Sequence, residues 1–129
     1  MENATLQGWL RQMWQIRVFE DHVARLSWAG EVPGFVHLCS GQEAVAVGIC
    51  AVMKEGDTLF SGHRAHGHFL ARGSDPYRLL AEILGRKDGV CGGYGGSMHL
   101  VDIQRGALGA TGVVGGNIPL AAGAAWAAA

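Results

Sequence analysis

The chain has 129 residues, 49% of them hydrophobic, which excludes a disordered protein and predicts one domain with a buried core. Ten basic and eleven acidic residues give a formal net charge of −1. No basic stripe is present, so neither nucleic acid nor an anionic membrane is expected as a partner.

The three cysteines do not form a disulfide framework, because their number is odd and no C-x-x-C motif is present. We therefore expect reduced thiols and a cytoplasmic location. Cys39 is predicted to be a core residue. Since it lies two positions after His37, a thiol–imidazole pair is the alternative.

The first predicted helix has apolar residues three and four positions apart, with polar residues between them. Gly30 and Pro33-Gly34 mark its end. A second helix is predicted to begin at Ser40, because Ser40 and Glu43 have the spacing of a capping box. The apolar positions of the first helix are Trp9, Met13, Ile16, Phe19, Val23 and Leu26.

A short strand is predicted at Thr58–Ser61, and a polar cluster follows it directly. A further helix is predicted to begin around Ser74-Asp75-Pro76 and to end at Gly85. Helices that alternate with strands indicate an α/β layer fold, in which ligands bind beyond the carboxyl ends of strands. The polar cluster, residues 62–68, falls at such a position.

This cluster admits three chemical interpretations. His63, His66 and His68 are spaced closely enough to ligate a metal ion. Arg64 opposes a dication, however, and no carboxylate completes a ligand set, so we predict no metal site. An anion site fits better, because Arg64 offers paired donors to which a neighbouring histidine adds another. A solvated surface cluster is the third interpretation.

Glycine is concentrated late in the chain, with twelve of the 21 glycines between Gly85 and Gly123. Such density permits close approach of the main chain to another group. The run Gly92–Gly96 matches no phosphate-loop motif. The alternative to a main chain that binds another group is that this run is a flexible connector. Gly112–Gly115 could form a buried strand or contact the edge of a flat heterocycle. Ser97 has no base at the spacing expected of a nucleophile.

The last residues predict a helix that begins near Asn117-Ile118-Pro119 and continues to Ala129 without a stop signal. We therefore expect residues 1–129 to be the N-terminal portion of one domain that is truncated at its C-terminus.

Six blocks in this order resemble the alpha subunit of thiamine-diphosphate-dependent 2-oxo acid dehydrogenase E1 components, over essentially the whole chain. Each block alone is modest, whereas the ordered set is specific. The blocks are Gly34–Leu38, Gly41–Ala44, His63–Gly67, Ala81–Arg86, Gly95–His99 and Gly112–Pro119.

The resemblance implies the N-terminal part of a Rossmann-like thiamine-diphosphate-binding fold, helix-rich with few short strands. It implies that His63 and Arg64 bind the diphosphate and that the main chain of Gly112 and Val114 contacts the aminopyrimidine ring. His37 matches an active-site histidine in the substrate pocket, and the block Gly95–His99 matches a loop near the active-site channel. The family's Gly-Asp-Gly motif, which supplies magnesium ligands, is expected beyond residue 129.

The implied partners are an E1 beta subunit in an α2β2 assembly and a lipoyl-bearing E2 component. The implied reaction is cleavage of acetoin, or decarboxylation of a 2-oxo acid such as pyruvate, with the acyl group passed to lipoyl-E2. The enzyme would be an oxidoreductase with a disulfide acceptor, and this chain alone is expected to be inactive. The sequence His63-Arg64-Ala65-His66-Gly67-His68 resembles the acetoin branch, because pyruvate dehydrogenases commonly have tyrosine at the first position. A non-catalytic interaction fragment and a histidine metal-binding domain are the alternatives.

Overall fold

The structure is a computed structural model that describes residues 2–129. This part of the chain forms five α-helices, two β-strands and a short 3₁₀ turn at Ile103–Arg105, which confirms a helix-rich α/β fold with few short strands. The helices are α1 (Asn3–Trp28), α2 (Glu43–Val52), α3 (His66–Ala71), α4 (Pro76–Ile83) and α5 (Asn117–Ala128), and the strands are β1 (Leu59–Ser61) and β2 (Ala107–Ala110). None of the helices in residues 2–129 combines the length and apolar character that a membrane span requires.

The core is built on one face of α1. Its predicted apolar positions Ile16, Phe19 and Val23 are buried, because spacings of three and four place them on one side of the helix. They share the core with apolar residues of α2, α3 and α4, so the helical periodicity is confirmed. These partners are Ala46, Val47, Phe69, Leu70, Leu79 and Ile83.

The two strands form a parallel pair, with Phe60 opposite Gly109 and Ser61 opposite Ala110. A Cβ atom on Gly109 would lie 3.2 Å from the Phe60 ring, so glycine lets this ring lie against the neighbouring strand. Because the strands are parallel, both carboxyl ends lie at the same edge. We call this edge, with the loops that leave it, the carboxyl edge.

Helix α4 begins as predicted. Asp75 is its N-cap residue, and its carboxylate accepts hydrogen bonds from the N–H groups of Tyr77 and Arg78 at 2.8 and 3.3 Å. Pro76 occupies the first helical position, where a missing N–H costs nothing.

The capping box predicted at α2 is wrong. Glu43 is the first residue of the helix, and Ser40 makes no capping hydrogen bond. The Glu43 carboxylate instead accepts a hydrogen bond from Nε of Arg17 on α1 at 2.6 Å, and a second from the Gly41 N–H at 3.1 Å. The Arg17 hydrogen bond lowers the pKa of Glu43, so the carboxylate joins α1 to α2 in its charged form.

Gly67 lets α3 pack closely against the residues around it. A Cβ atom there would lie 2.6 Å from Cys39 Sγ, 3.1 Å from Ala46 Cβ and 3.4 Å from Ile16 Cγ2. We therefore expect Gly67→Ala to destabilise the purified chain by about 1–3 kcal/mol through overpacking, measured as a lower urea midpoint.

Gly48→Ala is the matched control, because Gly48 lies within α2 and a Cβ atom there meets nothing within 4 Å. Alanine is the better helix former, so this change should raise stability by roughly 0.5–1 kcal/mol. A Gly67→Ala midpoint equal to or above that of the wild type would contradict the packing described.

Candidate cofactor and active site

The carboxyl edge brings two of the predicted loops together. After β1 the chain passes through Gly62, His63 and Arg64 into α3, and after β2 it passes through residues 111–116 into α5. The Thr111 N–H donates to the Ser61 carbonyl oxygen at 3.2 Å, which extends the pairing past the strand ends. The loop with His63 and Arg64 therefore leaves the sheet beside the loop with Gly112 and Val114.

Arg64 is exposed at this edge and is held by one contact. One guanidinium N–H donates to the carbonyl oxygen of Leu38, and its other N–H groups have no partner within residues 2–129. An arginine fixed at one nitrogen presents its remaining donors in a set direction, which suits a multidentate anion such as a phosphate.

His37 and His63 form an edge-to-face pair beside Arg64. Their ring centroids lie 5.3 Å apart, with an interplanar angle of 89°. The Nδ1 atom of His37 is buried and has no hydrogen-bond partner within the described part of the chain. Since buried ring nitrogens are normally satisfied, this one points to a ligand or water in the site.

The three clustered histidines do not converge. His66 begins α3 and is fully buried, whereas Nδ1 of His68 contacts the Ser61 hydroxyl at 3.2 Å. Burial lowers the pKa of His68, which therefore adds no charge to the edge. Within residues 2–129 no three His, Cys, Asp or Glu side chains are grouped to hold a metal ion. The surface-cluster interpretation is wrong for His66, because α3 turns that residue into the core.

The segment Gly112–Gly115 forms a turn, so the buried-strand alternative is wrong. Val114 is 80% exposed, and Gly115 has a φ of +81° that favours glycine. The main-chain N–H and C=O groups of Gly112 and Val114 make no hydrogen bond with other residues of the described chain. A Cβ atom on Gly112 would lie 3.4 Å from the His99 ring, an ordinary contact. Packing within the chain therefore does not require glycine at this position.

The earlier glycine run surrounds one buried carboxylate. Glu82 of α4 is fully buried, and its two oxygens accept four hydrogen bonds from main-chain N–H groups. One oxygen accepts from Cys91 and Gly93 at 2.7 and 2.8 Å, and the other accepts from Gly95 and Gly96 at 2.6 and 3.3 Å. The group held by this main chain is thus a side chain of the protein itself, and the flexible-connector alternative is wrong.

Steric contacts explain why glycine occupies this loop. A Cβ atom on Gly89 would lie 2.3 Å from a Glu82 oxygen, and one on Gly95 would lie 2.3 Å from the His99 carbonyl oxygen. Gly93 has a φ of +85°, and its Cβ atom would lie 2.7 Å from the Gly85 main chain. We call residues 89–96 the carboxylate loop, because main-chain N–H groups of this segment bind the Glu82 carboxylate.

A second buried network links distant parts of the chain. Nδ1 of His66 contacts both carboxylate oxygens of Glu20, on α1, at 3.0 and 3.1 Å. Nε2 of the same ring lies 3.0 Å from Ser97 Oγ and 3.2 Å from the Ser97 carbonyl oxygen. We call these three residues the Glu20–His66–Ser97 bridge. Sequence spacing could not predict this bridge, since Ser97 lies 31 positions after His66.

The bridge has the acid–histidine–serine order of a hydrolytic triad, but it is not built for nucleophilic attack. Ser97 is only 5% exposed, and its Oγ already accepts a hydrogen bond from the His37 N–H at 3.2 Å. The nearby N–H groups of Gly95 and Gly96, which could stabilise an oxyanion, are bound to Glu82. The geometry therefore indicates a structural network.

Cys39 lies in the core, as predicted, and does not pair with His37. It is fully buried, and burial raises the pKa of its thiol to about 11. A thiol that stays protonated at neutral pH is a poor nucleophile.

Comparison with known proteins agrees with the resemblance. A family model described as "Dehydrogenase E1 component" matches residues 11–129. The acetoin:2,6-dichlorophenolindophenol oxidoreductase alpha subunits of Bacillus subtilis and Cupriavidus necator are 52% and 45% identical over 91% and 99% of this chain. The pyruvate dehydrogenase E1 alpha subunit of Zymomonas mobilis is 46% identical over 91% of it.

The chain spans about a third of the length of these relatives, covering 35%, 38% and 33% of them respectively. The family model, by contrast, covers nearly all of the chain, including the carboxyl edge, the carboxylate loop and the bridge. The chain therefore belongs to the dehydrogenase E1 component family.

Proposed function

We propose that this chain forms part of an E1 alpha subunit and that its carboxyl edge holds part of a thiamine diphosphate site. The single observation that carries the proposal is the juxtaposition at this edge. Within residues 2–129, Arg64 presents unpaired donors on one loop, and Gly112 and Val114 present unpaired main-chain groups on the next. The first set suits a diphosphate, and the second suits the polar edge of a heterocycle.

The donor set fits this cofactor. The guanidinium of Arg64 and the imidazole of His63 would contact the diphosphate, while Gly112 and Val114 would contact the aminopyrimidine ring. Bound thiamine diphosphate supplies the ability to cleave a carbon–carbon bond next to a carbonyl group. Magnesium, which commonly bridges a diphosphate to its protein, would be held by ligands outside residues 1–129.

His37 would face the substrate. Its Nδ1 atom is buried and has no hydrogen-bond partner among residues 2–129, and its ring packs against His63, so it lies beside the group proposed to hold the cofactor. A free ring nitrogen there can hydrogen-bond a substrate hydroxyl or carbonyl oxygen and exchange a proton with it.

We propose acetoin as the substrate, with pyruvate or another 2-oxo acid as the alternative. Two of the similar relatives are named for acetoin, and the motif His63–His68 resembles that branch. The acyl group would pass to a lipoyl-bearing E2, and the complete enzyme would be an α2β2 assembly with an E1 beta subunit.

The test is turnover by the complete alpha subunit that contains this sequence, purified with its beta partner. We expect reduction of 2,6-dichlorophenolindophenol that requires thiamine diphosphate and magnesium and is faster with acetoin than with pyruvate. Faster turnover of pyruvate would reverse the substrate assignment. Cofactor-independent turnover, or none with either substrate, would contradict the proposed function and favour an interaction module.

Gly112→Ala separates a cofactor role from a folding role. Because a Cβ atom at residue 112 meets only ordinary contacts, we expect the free energy of unfolding to change by no more than about 0.5 kcal/mol. The added methyl group would stand between the main chain and the heterocycle. We therefore expect thiamine diphosphate to bind at least about tenfold more weakly in calorimetry, or ~1.4 kcal/mol.

Gly123→Ala is the matched control, since Gly123 lies in α5 and a Cβ atom there meets nothing within 4 Å. It should leave cofactor affinity unchanged. Equal affinity of the Gly112→Ala variant and the wild type would remove Gly112 from the proposed site.

A further inference from the structure

We infer that the Glu20–His66–Ser97 bridge is a positioning device that fixes the main chain of His37, and through it the imidazole that faces the proposed substrate. The inference rests on the proposed function for the role of His37. The bridge itself rests on contacts within the chain.

The first step is the pairing of Glu20 with His66. Both side chains are fully buried, and a buried carboxylate is costly unless a donor compensates it. Nδ1 of His66 meets both carboxylate oxygens, so a shared hydrogen holds the ring in one orientation. The Phe19 ring packs edge-to-face against the imidazole at 6.1 Å and restricts it further.

The second step runs from His66 to Ser97. Nε2 lies 3.0 Å from the Ser97 hydroxyl, which can either donate to this nitrogen or accept from it, so the contact fixes the Ser97 side chain. Ser97 directly follows the carboxylate loop, which is anchored on Glu82. The hydroxyl is therefore held from both sides, by the loop before it and by the imidazole.

The third step runs from Ser97 to His37. Ser97 Oγ accepts the His37 N–H at 3.2 Å, whichever way the hydrogen between Nε2 and Oγ is arranged. The segment around His37 forms neither a helix nor a strand, so no ladder or helical turn fixes its main chain. This hydrogen bond spans 60 residues and ties the segment to the core.

The consequence is orientation of the His37 ring. Its Nδ1 atom has no partner within the described chain, so no hydrogen bond of its own orients it there. Its position follows from the main chain and from the packing against His63. A displacement of about 1 Å in a catalytic group can lower the rate by about 100-fold. Loss of the Ser97 hydroxyl should therefore affect turnover more than binding.

The test uses Ser97→Ala in the complete alpha subunit assembled with its beta partner. We expect kcat to fall at least about tenfold, with thiamine diphosphate affinity within about twofold of wild type. In a His37→Ala background the same change should have no further effect on kcat, because the bridge acts through His37. Equal losses in both backgrounds, or an unchanged kcat, would overturn the inference.

Ser74→Ala is the matched control. Ser74 is 3% exposed and donates to Asp102 at 2.6 Å, so its loss also removes one buried hydroxyl hydrogen bond. It should lower thermal stability to a similar extent while kcat stays at the wild-type value. A parallel fall of kcat in this variant would show that the Ser97 effect is only a loss of stability.

Amide hydrogen exchange at His37 gives a readout that does not depend on activity. We expect a protected His37 amide in the wild type and faster exchange in Ser97→Ala, with the amides bound to Glu82 unchanged. Equal exchange rates of the His37 amide in the two proteins would overturn the inference that the bridge fixes the His37 main chain. This measurement needs no substrate, so it tests the bridge separately from the proposed function. An assembly without turnover would contradict the proposed function, whereas amide exchange at His37 would still test the bridge.

Discussion

Glu82→Gln is expected to destabilise the protein more than any other single substitution considered, by at least about 3 kcal/mol. Each Glu82 oxygen accepts two main-chain hydrogen bonds, and glutamine keeps only one of the two oxygens. Its amide group would place hydrogens against two N–H donors, which would be left buried and unsatisfied. Since a domain is stable by only about 5–15 kcal/mol, this loss would be a large part of the total.

Urea denaturation of the purified chain measures the effect, with Glu55→Gln as the matched control, because Glu55 is exposed and makes no hydrogen bond within residues 2–129. The control should have the wild-type midpoint. A Glu82→Gln midpoint that also equals the wild-type value would mean that the carboxylate loop does not depend on its carboxylate.

Arg64→Ala is expected to weaken thiamine diphosphate binding by about 100-fold, or ~2.7 kcal/mol, in the complete subunit with its beta partner. The substitution removes the charged donors proposed to contact the diphosphate. Arg64 is exposed, and its only side-chain hydrogen bond within residues 2–129 is to the Leu38 carbonyl, so folding should be nearly unaffected. Calorimetry in the presence of magnesium measures the affinity.

Arg78→Ala is the matched control for charge. Arg78 is exposed on α4, and the structure shows no side-chain hydrogen bond from it within residues 2–129, so the variant makes the same change in net charge away from the carboxyl edge. It should bind cofactor as the wild type does. Equally weakened cofactor binding in both variants would mean that the Arg64 effect comes from the change in net charge and not from contact with the diphosphate.

Local patterns predicted those elements whose stabilising groups lie close together in sequence. The apolar spacing of α1 and the cap of α4 at Asp75 depend on residues one to four positions apart, and both are confirmed. The short strand β1 follows from its apolar run and the turn before it. Its parallel partner β2 was not predicted, because its small residues carry no alternation that marks a strand.

Long-range polar contacts could not be predicted from spacing. Glu82 meets donors 9 to 14 positions later, and Glu20 meets His66 across 46 positions. The capping box at Ser40 was wrong for the same reason, since Arg17 lies 26 positions before its partner. Glycine density did predict a main chain that approaches a polar group closely, but the group in the earlier run is a carboxylate of the chain itself.

The resemblance supplied what spacing could not, a role for two loops far apart in sequence. The structure then placed the loops with His63, Arg64, Gly112 and Val114 side by side at the carboxyl edge. Their contacts with a cofactor stay a prediction. What the structure adds is that the main-chain groups of Gly112 and Val114 are unpaired within residues 2–129, unlike those of the carboxylate loop.

Amide hydrogen exchange of the complete subunit with its beta partner, before and after thiamine diphosphate and magnesium are added, tests the cofactor site most directly. We predict that the cofactor slows exchange in residues 62–64 and 112–114 together, while the amides bound to Glu82 are already protected without it. Cofactor binding that leaves both segments of the carboxyl edge unchanged would contradict the assignment of this edge as part of the site.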